Sequence, residues 1–294
     1  MASLKEVRIR IASVNSTQQI TKAMKMVSAA KLRRAQDAIV RLRPYANKLR
    51  EILENLSGNV DASEGGAYAK IRKDNKILIV AICSNRGLAG AFNSTIIRTV
   101  NRLIHNTYNT QAKEGNVKIL CIGKKCSDFF SKQKNVFLRH HNEIFNQLNF
   151  ENTAKIAEEI MKEFASANFD RVILVYNQFK NAAVQYVQTE QMLPITPPAK
   201  KETEKAKSID YIFEPDKAQI VSELIPKSLK TQLYKALLDS HASEHGARMT
   251  AMSKATDNAG ELIKELRLQY NKARQAAITG EILEIVGGAE ALKG

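Results

Sequence analysis

The 294-residue chain contains no tryptophan, only six prolines, and no apolar run near the roughly 18 residues of a membrane-spanning helix. We therefore expect no direct membrane span. The first residues, MASLKEVRIRIASVN, carry charges too early and too evenly for a secretory signal peptide. These features favour a protein of the cytosol or an equivalent compartment.

Cysteine is also scarce. Cys83, Cys121 and Cys126 are an odd number without C-x-x-C spacing, and the first two lie inside apolar, strand-like runs. This pattern favours buried, reduced thiols over disulfides or zinc ligands.

The charge is strongly one-sided, with a net value of +15. Residues 1–57 hold 12 Lys and Arg against 4 Asp and Glu, which is +8, more than half of the excess. A basic segment of this kind indicates an acidic partner, such as nucleic acid, anionic lipid or an acidic protein surface. The lack of tryptophan and of zinc-finger or RNP signatures argues against nucleic acid.

Both ends of the chain predict very long helices. Residues 227–286 contain no proline, and an unbroken helix there would span roughly 90 Å at about 1.5 Å per residue. Residues 1–57 contain no glycine and one proline. Apolar or small residues repeat with alternating spacings of three and four at Leu4, Val7, Ile11 and Val14, then Ile20, Met24 and Val27, and at Met249, Met252, Thr256, Ala259, Ile263, Leu266, Tyr270, Ala273 and Ala277.

Such spacing predicts the seam of a left-handed coiled coil, here an antiparallel pair formed by the two ends of one chain. Two amphipathic helices lying on a globular core are the alternative interpretation. The first stripe changes phase between Val14 and Ile20. We expect the pairing to loosen or change partner at that point.

The middle of the chain predicts a different structure. Short β-rich runs at 76–83, 117–123 and 171–176 alternate with helical segments at 92–110, 124–132 and 152–168. Alternation of this sort predicts a Rossmann-like α/β domain with a largely parallel sheet. Residues 183–192 and 210–213 are further candidate strands, the second at a sheet edge. The predicted division is an N-terminal coiled-coil helix at 1–57, a central α/β domain at 72–214 and a C-terminal coiled-coil helix at 216–294.

Two motifs resemble sites for chemistry. Ser84 to Asn93 (SNRGLAGAFN) follows a strand and opens a helix, as phosphate-binding loops do, but lacks the full glycine pattern, so a turn with an exposed, functional tip is favoured. His241, Glu244 and His245 form H-x-x-E-H, an inverted zinc-peptidase motif. A helix paired along its length offers neither a third ligand nor a cleft, so we expect no catalytic metal site.

Several runs give the chain a family resemblance. They are Ile11 to Val14, Gln19 to Val27, Lys31 to Ala35, Ser84 to Gly90, Ala242 to Ala259 and Tyr270 to Val286. In sequence and order these runs strongly resemble the γ subunit of F-type ATP synthases. The resemblance spans the whole chain and is weakest in the middle.

The resemblance implies a central-stalk rotor subunit of a proton-translocating synthase, which couples c-ring rotation to conformational change at the catalytic β subunits. The implied partners are the α and β subunits, the ε subunit and the c ring, with one copy of the chain per complex. It implies no catalytic site, cofactor or metal in this chain, and a peripheral position on the cytoplasmic face of the bacterial inner membrane. The alternative is a basic coiled-coil protein that binds nucleic acid or acts as a scaffold.

The resemblance also implies contact residues. The implied upper-shaft contacts to β are Arg274, Gln275 and Thr279, and the implied lower bearing and β-lever contacts are Met24, Lys25, Lys22, Lys31, Arg33 and Arg34. A loop that contacts the lever or ε contains Arg86, Gly87, Leu88 and Gly90, and a foot near ε and the c ring contains Asp210, Tyr211 and Glu214.

Plastid members of the family carry an added cysteine-containing segment. Because no cysteine here lies where a redox pair is expected, we expect no thiol regulation.

Overall fold

The computed structural model describes residues 4–57, 68–133, 136–195 and 217–291. Their helices and strands are α1 (Leu4–Ser57), β1 (Ile77–Ile82), α2 (Phe92–Arg102), a π-helical turn (Leu103–Thr107), α3 (Asn109–Lys113), β2 (Val117–Ile122), α4 (Lys124–Phe130), β3 (Phe137–His140), a 3-10 turn (Asn142–Asn146), α5 (Phe150–Ala165), β4 (Arg171–Phe179), β5 (Gln185–Leu193) and α6 (Lys217–Ala291). The predicted edge strand at 210–213 lies outside the described residues. The fold class is confirmed: a mixed sheet with helices lies between two very long helices in the sequence.

The chain divides into two compact units, and the division cuts both long helices. The first unit, which we call the helix pair, combines 1–28 with 248–294, and the second, which we call the central unit, is 29–247.

The central unit is built on a five-stranded sheet of order β3-β2-β1-β4-β5. β1 runs parallel to β2 and β4, β2 runs parallel to β3, and β5 is antiparallel to β4. All six residues of β1 (ILIVAI) are buried, as expected for a central parallel strand covered on both faces. No strand was predicted at β3, whose residues alternate between half-buried and exposed.

Each face of the sheet has its own apolar core. One core joins alternate residues of β1, such as Leu78 and Val80, to α5 and to Ile225, Leu229 and Leu233 of α6. The other joins Ile77 and Ile79 of β1 to the buried side of α2 and to Phe130 of α4. The sheet therefore separates two helical layers.

Helix α6 extends beyond the proline-free stretch 227–286. It begins at Lys217, one residue after the predicted start at 216, and continues through Pro226. Proline inside a helix costs a backbone hydrogen bond, but Ile225 and Leu229 on either side of Pro226 are buried in the core of the central unit. Tertiary packing therefore offsets the local preference to end the helix.

Candidate functional site

The helix pair is held together by polar as well as apolar contacts. The Thr21 and Thr256 hydroxyls are hydrogen-bonded at 2.8 Å, and the Gln18 Nε2 donates to the Thr256 carbonyl at 3.4 Å. Lys25 Nζ donates to the Ser253 hydroxyl at 2.9 Å. As residue numbers rise from 18 to 25 on α1, those of the partners fall from 256 to 253 on α6. The two helices are therefore antiparallel, as predicted.

Close approach at Gln18 depends on a glycine. A Cβ on Gly260 would lie 3.0 Å from Gln18 Nε2, tighter than ordinary van der Waals contact. Replacing this glycine by a larger residue would push the amide away from α6.

The predicted phase change in the α1 stripe is wrong. Ile20 and Val27, which the sequence analysis placed on the seam, are 59% and 56% exposed. The less exposed positions instead continue the seven-residue repeat without a shift, through Leu4, Val7, Ile11, Val14, Gln18, Thr21 and Ser28. Polar side chains occupy three of these positions and bond within or across the pair, so the pairing does not loosen there.

The stripe on α6 is confirmed. Met252, Ala259, Ile263 and Leu266 are buried, while Tyr270, Ala273 and Ala277 are half-buried. Every residue from 281 to 290 is exposed, including the large apolar residues Ile282, Leu283, Ile285 and Val286. This terminal part of α6 thus presents an apolar surface to solvent.

The predicted upper-shaft residues lie next to that surface. Arg274, Gln275 and Thr279 are all exposed on α6, and Gln275 and Thr279 are one helical turn apart. The Thr279 hydroxyl donates to the Gln275 carbonyl at 2.9 Å, which fixes its rotamer. The structure therefore brings these three side chains to one short stretch of helix surface.

The predicted basic residues of α1 fall in both units. In the helix pair, Lys22 and Lys25 are exposed and Met24 is half-buried; in the central unit, Lys31, Arg33 and Arg34 are exposed. Lys25 bonds across the helix pair, to Ser253.

The loop after β1 has an exposed tip, as predicted. Arg86, Leu88 and Gly90 are exposed and Gly87 is half-buried. Leu88 is 65% exposed and has a φ of 60°, a left-handed conformation that costs a non-glycine residue energy. A strained apolar side chain held in solvent is typical of a contact residue.

A network of side-chain bonds holds this loop. The Asn93 Oδ1 accepts from the Ser84 backbone N–H at 3.0 Å, and the Ser84 hydroxyl donates to the Arg86 carbonyl at 2.7 Å. Asn85 accepts from the Lys124 N–H at 2.9 Å and donates to the Asn142 carbonyl at 2.8 Å. Hydrogen bonds therefore anchor the tip to the end of β1 and to the segments that follow β2 and β3.

The prediction of three reduced cysteines is wrong for two of them. Cys83 and Cys126 form a disulfide, with Cα atoms 5.8 Å apart. Cys83 follows β1 and Cys126 lies in the first turn of α4 after β2; because β1 and β2 are parallel neighbours, their carboxyl ends bring the two residues together. Cys121 is free and buried, as predicted, and burial raises the pKa of its thiol to about 12.

This pairing predicts the thiol count. Protein purified without reductant and unfolded in the presence of an alkylating reagent should gain one label per chain, on Cys121, and three labels after reduction. The Cys126→Ser variant should gain two without reduction, because Cys83 is then free. Mass spectrometry gives the counts, and three labels on the unreduced parent chain would contradict the disulfide.

The H-x-x-E-H motif lies in the part of α6 that belongs to the central unit. His241 Nε2 and His245 Nε2 are 3.1 Å apart, one helical turn from each other. Among the described residues, no group of three or more His, Cys, Asp and Glu side chains is placed to hold a metal ion.

Three predicted residues receive no structural account. Asp210, Tyr211 and Glu214, the proposed foot, lie outside the described residues. Gln18, Thr21 and Ser253, in turn, were not predicted as pairing residues. The seven-residue spacing, read through polar positions, could have identified Gln18 and Thr21, whereas Ser253 lies outside that spacing.

Among the described parts of the chain, no helix has both the length and the apolar character to cross a membrane.

Comparison with known proteins was made by sequence and by structure. The family model described as "ATP synthase" matches residues 3–292. The ATP synthase gamma chain of Flavobacterium johnsoniae is 60% identical and that of Christiangramia forsetii 58% identical, each over 294 residues and the whole of both chains.

Solved structures agree with these relatives. A chain from the central stalk and c-ring structure of the Tetrahymena thermophila mitochondrial ATP synthase is 27% identical, with a TM-score of 0.61 over 80% of this chain and 99% of that one. A chain of the Euglena gracilis mitochondrial ATP synthase rotor has a TM-score of 0.67 over 94% of this chain and 98% of that one, at 24% identity, and shows the fold alone.

The antiparallel helix pair, the α/β unit between its helices in sequence and these matches define a class, the central-stalk rotor subunits of ATP synthases. Within that class, the chain belongs to the family of ATP synthase gamma chains. The alternative of a nucleic-acid-binding or scaffold coiled coil has no support from these comparisons.

Proposed function

We propose that this chain is the shaft that couples rotation of a proton-driven c ring to conformational change at the catalytic β subunits. The observation that carries the proposal is the helix pair, whose seven-residue repeat keeps one phase from Leu4 to Ser28, with the exposed Lys25 at one of its positions, and which is bonded across at Gln18, Thr21 and Lys25. A shaft has to transmit torque, and helices joined by packing and hydrogen bonds at successive turns resist being twisted apart.

The contacts with β are proposed for the exposed part of α6. The Arg274 guanidinium is exposed beside Gln275 and Thr279, and a planar guanidinium can engage a carboxylate through two parallel hydrogen bonds. Such contacts are strong enough to define an orientation. Because they lie on the surface, they can break and reform as the shaft turns.

Other surfaces supply the remaining proposed contacts. The exposed lysines of the helix pair, Lys22 and Lys25, with Met24, suit an acidic lever on β, as do Lys31, Arg33 and Arg34 of the central unit. The rigid, exposed tip around Leu88 suits a lever or the ε subunit. Residues 210–214 are proposed as the foot near ε and the c ring.

The proposal assigns no catalysis to this chain. ATP forms on the β subunits, and one copy of the chain, without cofactor, serves each complex on the cytoplasmic face of the bacterial inner membrane. Its proposed domains are the helix at 1–57, the α/β domain at 72–214 and the helix at 216–294.

The sharpest test replaces Arg274 and Gln275 together by alanine. If these side chains contact β, the double variant should bind an α and β subunit mixture about ten-fold more weakly or worse, because charge-assisted hydrogen bonds contribute about 1.5–3 kcal/mol. Co-purification of the variant with the α and β subunits, and ATP-driven rotation of the assembled complex, measure the effect.

A matched control exists on the same helix. Arg267 and Gln269 are also exposed on α6, so the Arg267→Ala and Gln269→Ala double variant removes the same two side-chain types. Equal losses in both double variants would contradict a specific contact at Arg274 and Gln275. ATP hydrolysis by the isolated parent chain would contradict the assignment of catalysis to β.

A further inference from the structure

We propose that His241 and His245 form a binding site for one divalent first-row transition metal ion, with Cu²⁺ or Ni²⁺ geometry preferred over the tetrahedral geometry of Zn²⁺. The inference does not depend on the proposed function. It rests on the placement of two imidazole rings on successive turns of α6, within the central unit.

The distance between the two nitrogens suits a shared ion. His241 Nε2 and His245 Nε2 are 3.1 Å apart. An ion at about 2.05 Å from each would subtend an angle of about 98°, whereas a tetrahedral angle would require nitrogens about 3.4 Å apart. Cis positions of tetragonal or octahedral ions are near 90°, so the pair fits Cu²⁺ or Ni²⁺ better than a structural zinc site.

The orientation of the rings agrees with this. The ring planes are perpendicular and the ring centroids are 4.5 Å apart. Rings that pointed their Nε2 atoms straight at each other across 3.1 Å would have centroids clearly farther apart. At least one Nε2 atom is therefore aimed to the side of the line that joins the two nitrogens, and the proposed ion lies on that side.

The surroundings of the two histidines hold the His241 ring in place and leave it partly exposed. Phe145 stacks on His241, with centroids 6.1 Å apart and planes 13° from parallel. His245 is 5% exposed, whereas His241 is half-buried. We therefore propose that water enters on the side of His241, the more exposed of the two rings, and completes the coordination of an ion that has two protein ligands.

The proton balance is simple. The two Nε2 atoms share a hydrogen bond, so one neutral imidazole carries its proton on Nε2 and the other accepts. Metal binding needs both Nε2 lone pairs, and the donor ring must move its proton to Nδ1. The ion then replaces the shared proton and links two successive turns of α6.

Titration of the full-length, untagged chain with Cu²⁺ tests the site. We expect one tightly bound ion per chain and an electron paramagnetic resonance spectrum with hyperfine coupling from two nitrogens. The His241→Gln and His245→Gln variants should each bind Cu²⁺ more weakly by at least about ten-fold, because even outer-shell partners of a metal contribute on that scale. Circular dichroism checks that the variants are folded. If His245→Gln does not fold, the His241→Gln variant, changed at the more exposed position, decides the question.

The other histidines provide matched controls. His105 and His140 are exposed single rings, and His141 pairs with Glu159 at 3.3 Å. The His105→Gln variant and the His140→Gln, His141→Gln double variant should bind Cu²⁺ like the parent chain. Unchanged affinity in the His241 and His245 variants, loss in a control instead, or no binding by the parent chain would overturn the proposal.

Discussion

The Gly123→Ala variant should lose about 3 kcal/mol or more of unfolding free energy in the central unit. Gly123 connects β2 to α4 with a φ of 114°, a conformation that side chains of L residues rarely adopt. A Cβ at this position would also overlap the backbone carbonyl of Cys83. The two costs add, because relieving the overlap requires moving backbone.

That backbone cannot move without further loss. The Cys83 N–H donates to the Ile122 carbonyl at 2.8 Å, and Cys83 is covalently joined to Cys126. Any shift of Cys83 would thus disturb β1, β2 and α4 together. Urea unfolding of the full chain, followed by a central-unit signal, should show a lower midpoint with an unchanged slope.

Gly115 is the matched control. It also has a positive φ, 76°, but nothing lies within 4 Å of a Cβ placed there. Gly115→Ala should therefore show the conformational strain alone, about 1–2 kcal/mol. Equal losses at the two positions would contradict a steric role for Gly123.

The stripes show what sequence spacing can and cannot predict. The α6 stripe was predicted correctly because apolar or small residues occupy it from Met252 to Ala277. The α1 stripe was misplaced after Val14, because Gln18 and Thr21 hold seam positions through hydrogen bonds. A polar residue on a seam looks like an exposed one until its partner on the other helix is known.

The disulfide and β3 were missed for different physical reasons. Cys83 and Cys126 are 43 residues apart, and their proximity depends on the parallel pairing of β1 with β2, which no local pattern encodes. The four residues of β3 alternate between half-buried and exposed, and so resemble a loop. The exposed tip at Leu88 was predictable because its glycines and its place after a buried strand are local features.

A buried carboxyl group in the central unit makes the unfolding free energy depend on pH. Asp239 on α6 is 2% exposed. The pKa of this carboxyl is raised from 3.8 to about 6, mainly because burial desolvates the charged form. Lys235, Arg43 and a hydrogen bond from the Phe179 N–H act in the opposite direction, and Glu190 adds a smaller increase. Its Oδ1 atom is buried and has no hydrogen-bond partner among the residues that the structure describes. Ionisation of Asp239 therefore lowers the unfolding free energy of the folded chain at neutral pH.

The sign of the pH dependence follows from linkage. Between pH 3.8 and about 6 the folded chain retains a proton on Asp239 that the unfolded chain releases. The contribution of this group to stability is therefore fully present below pH 3.8 and is lost as pH rises through about 6. A shift of about two pKa units corresponds to about 3 kcal/mol at most.

The Asp239→Asn variant should consequently raise the unfolding free energy of the central unit at pH 8 by about 1–3 kcal/mol, since asparagine keeps the shape and an acceptor for the Phe179 N–H without ionising. The gain should shrink toward zero near pH 4, where the aspartic acid is itself neutral in the folded chain. Urea unfolding of both chains from pH 4 to pH 8 measures the difference and cancels titrations common to both. Asp128→Asn, which removes the same charge at an exposed position of α4, should change stability little at either pH. A loss of stability at pH 8 in Asp239→Asn would instead mean that ionised Asp239 is stabilised by Arg43 and Lys235 more than burial costs it.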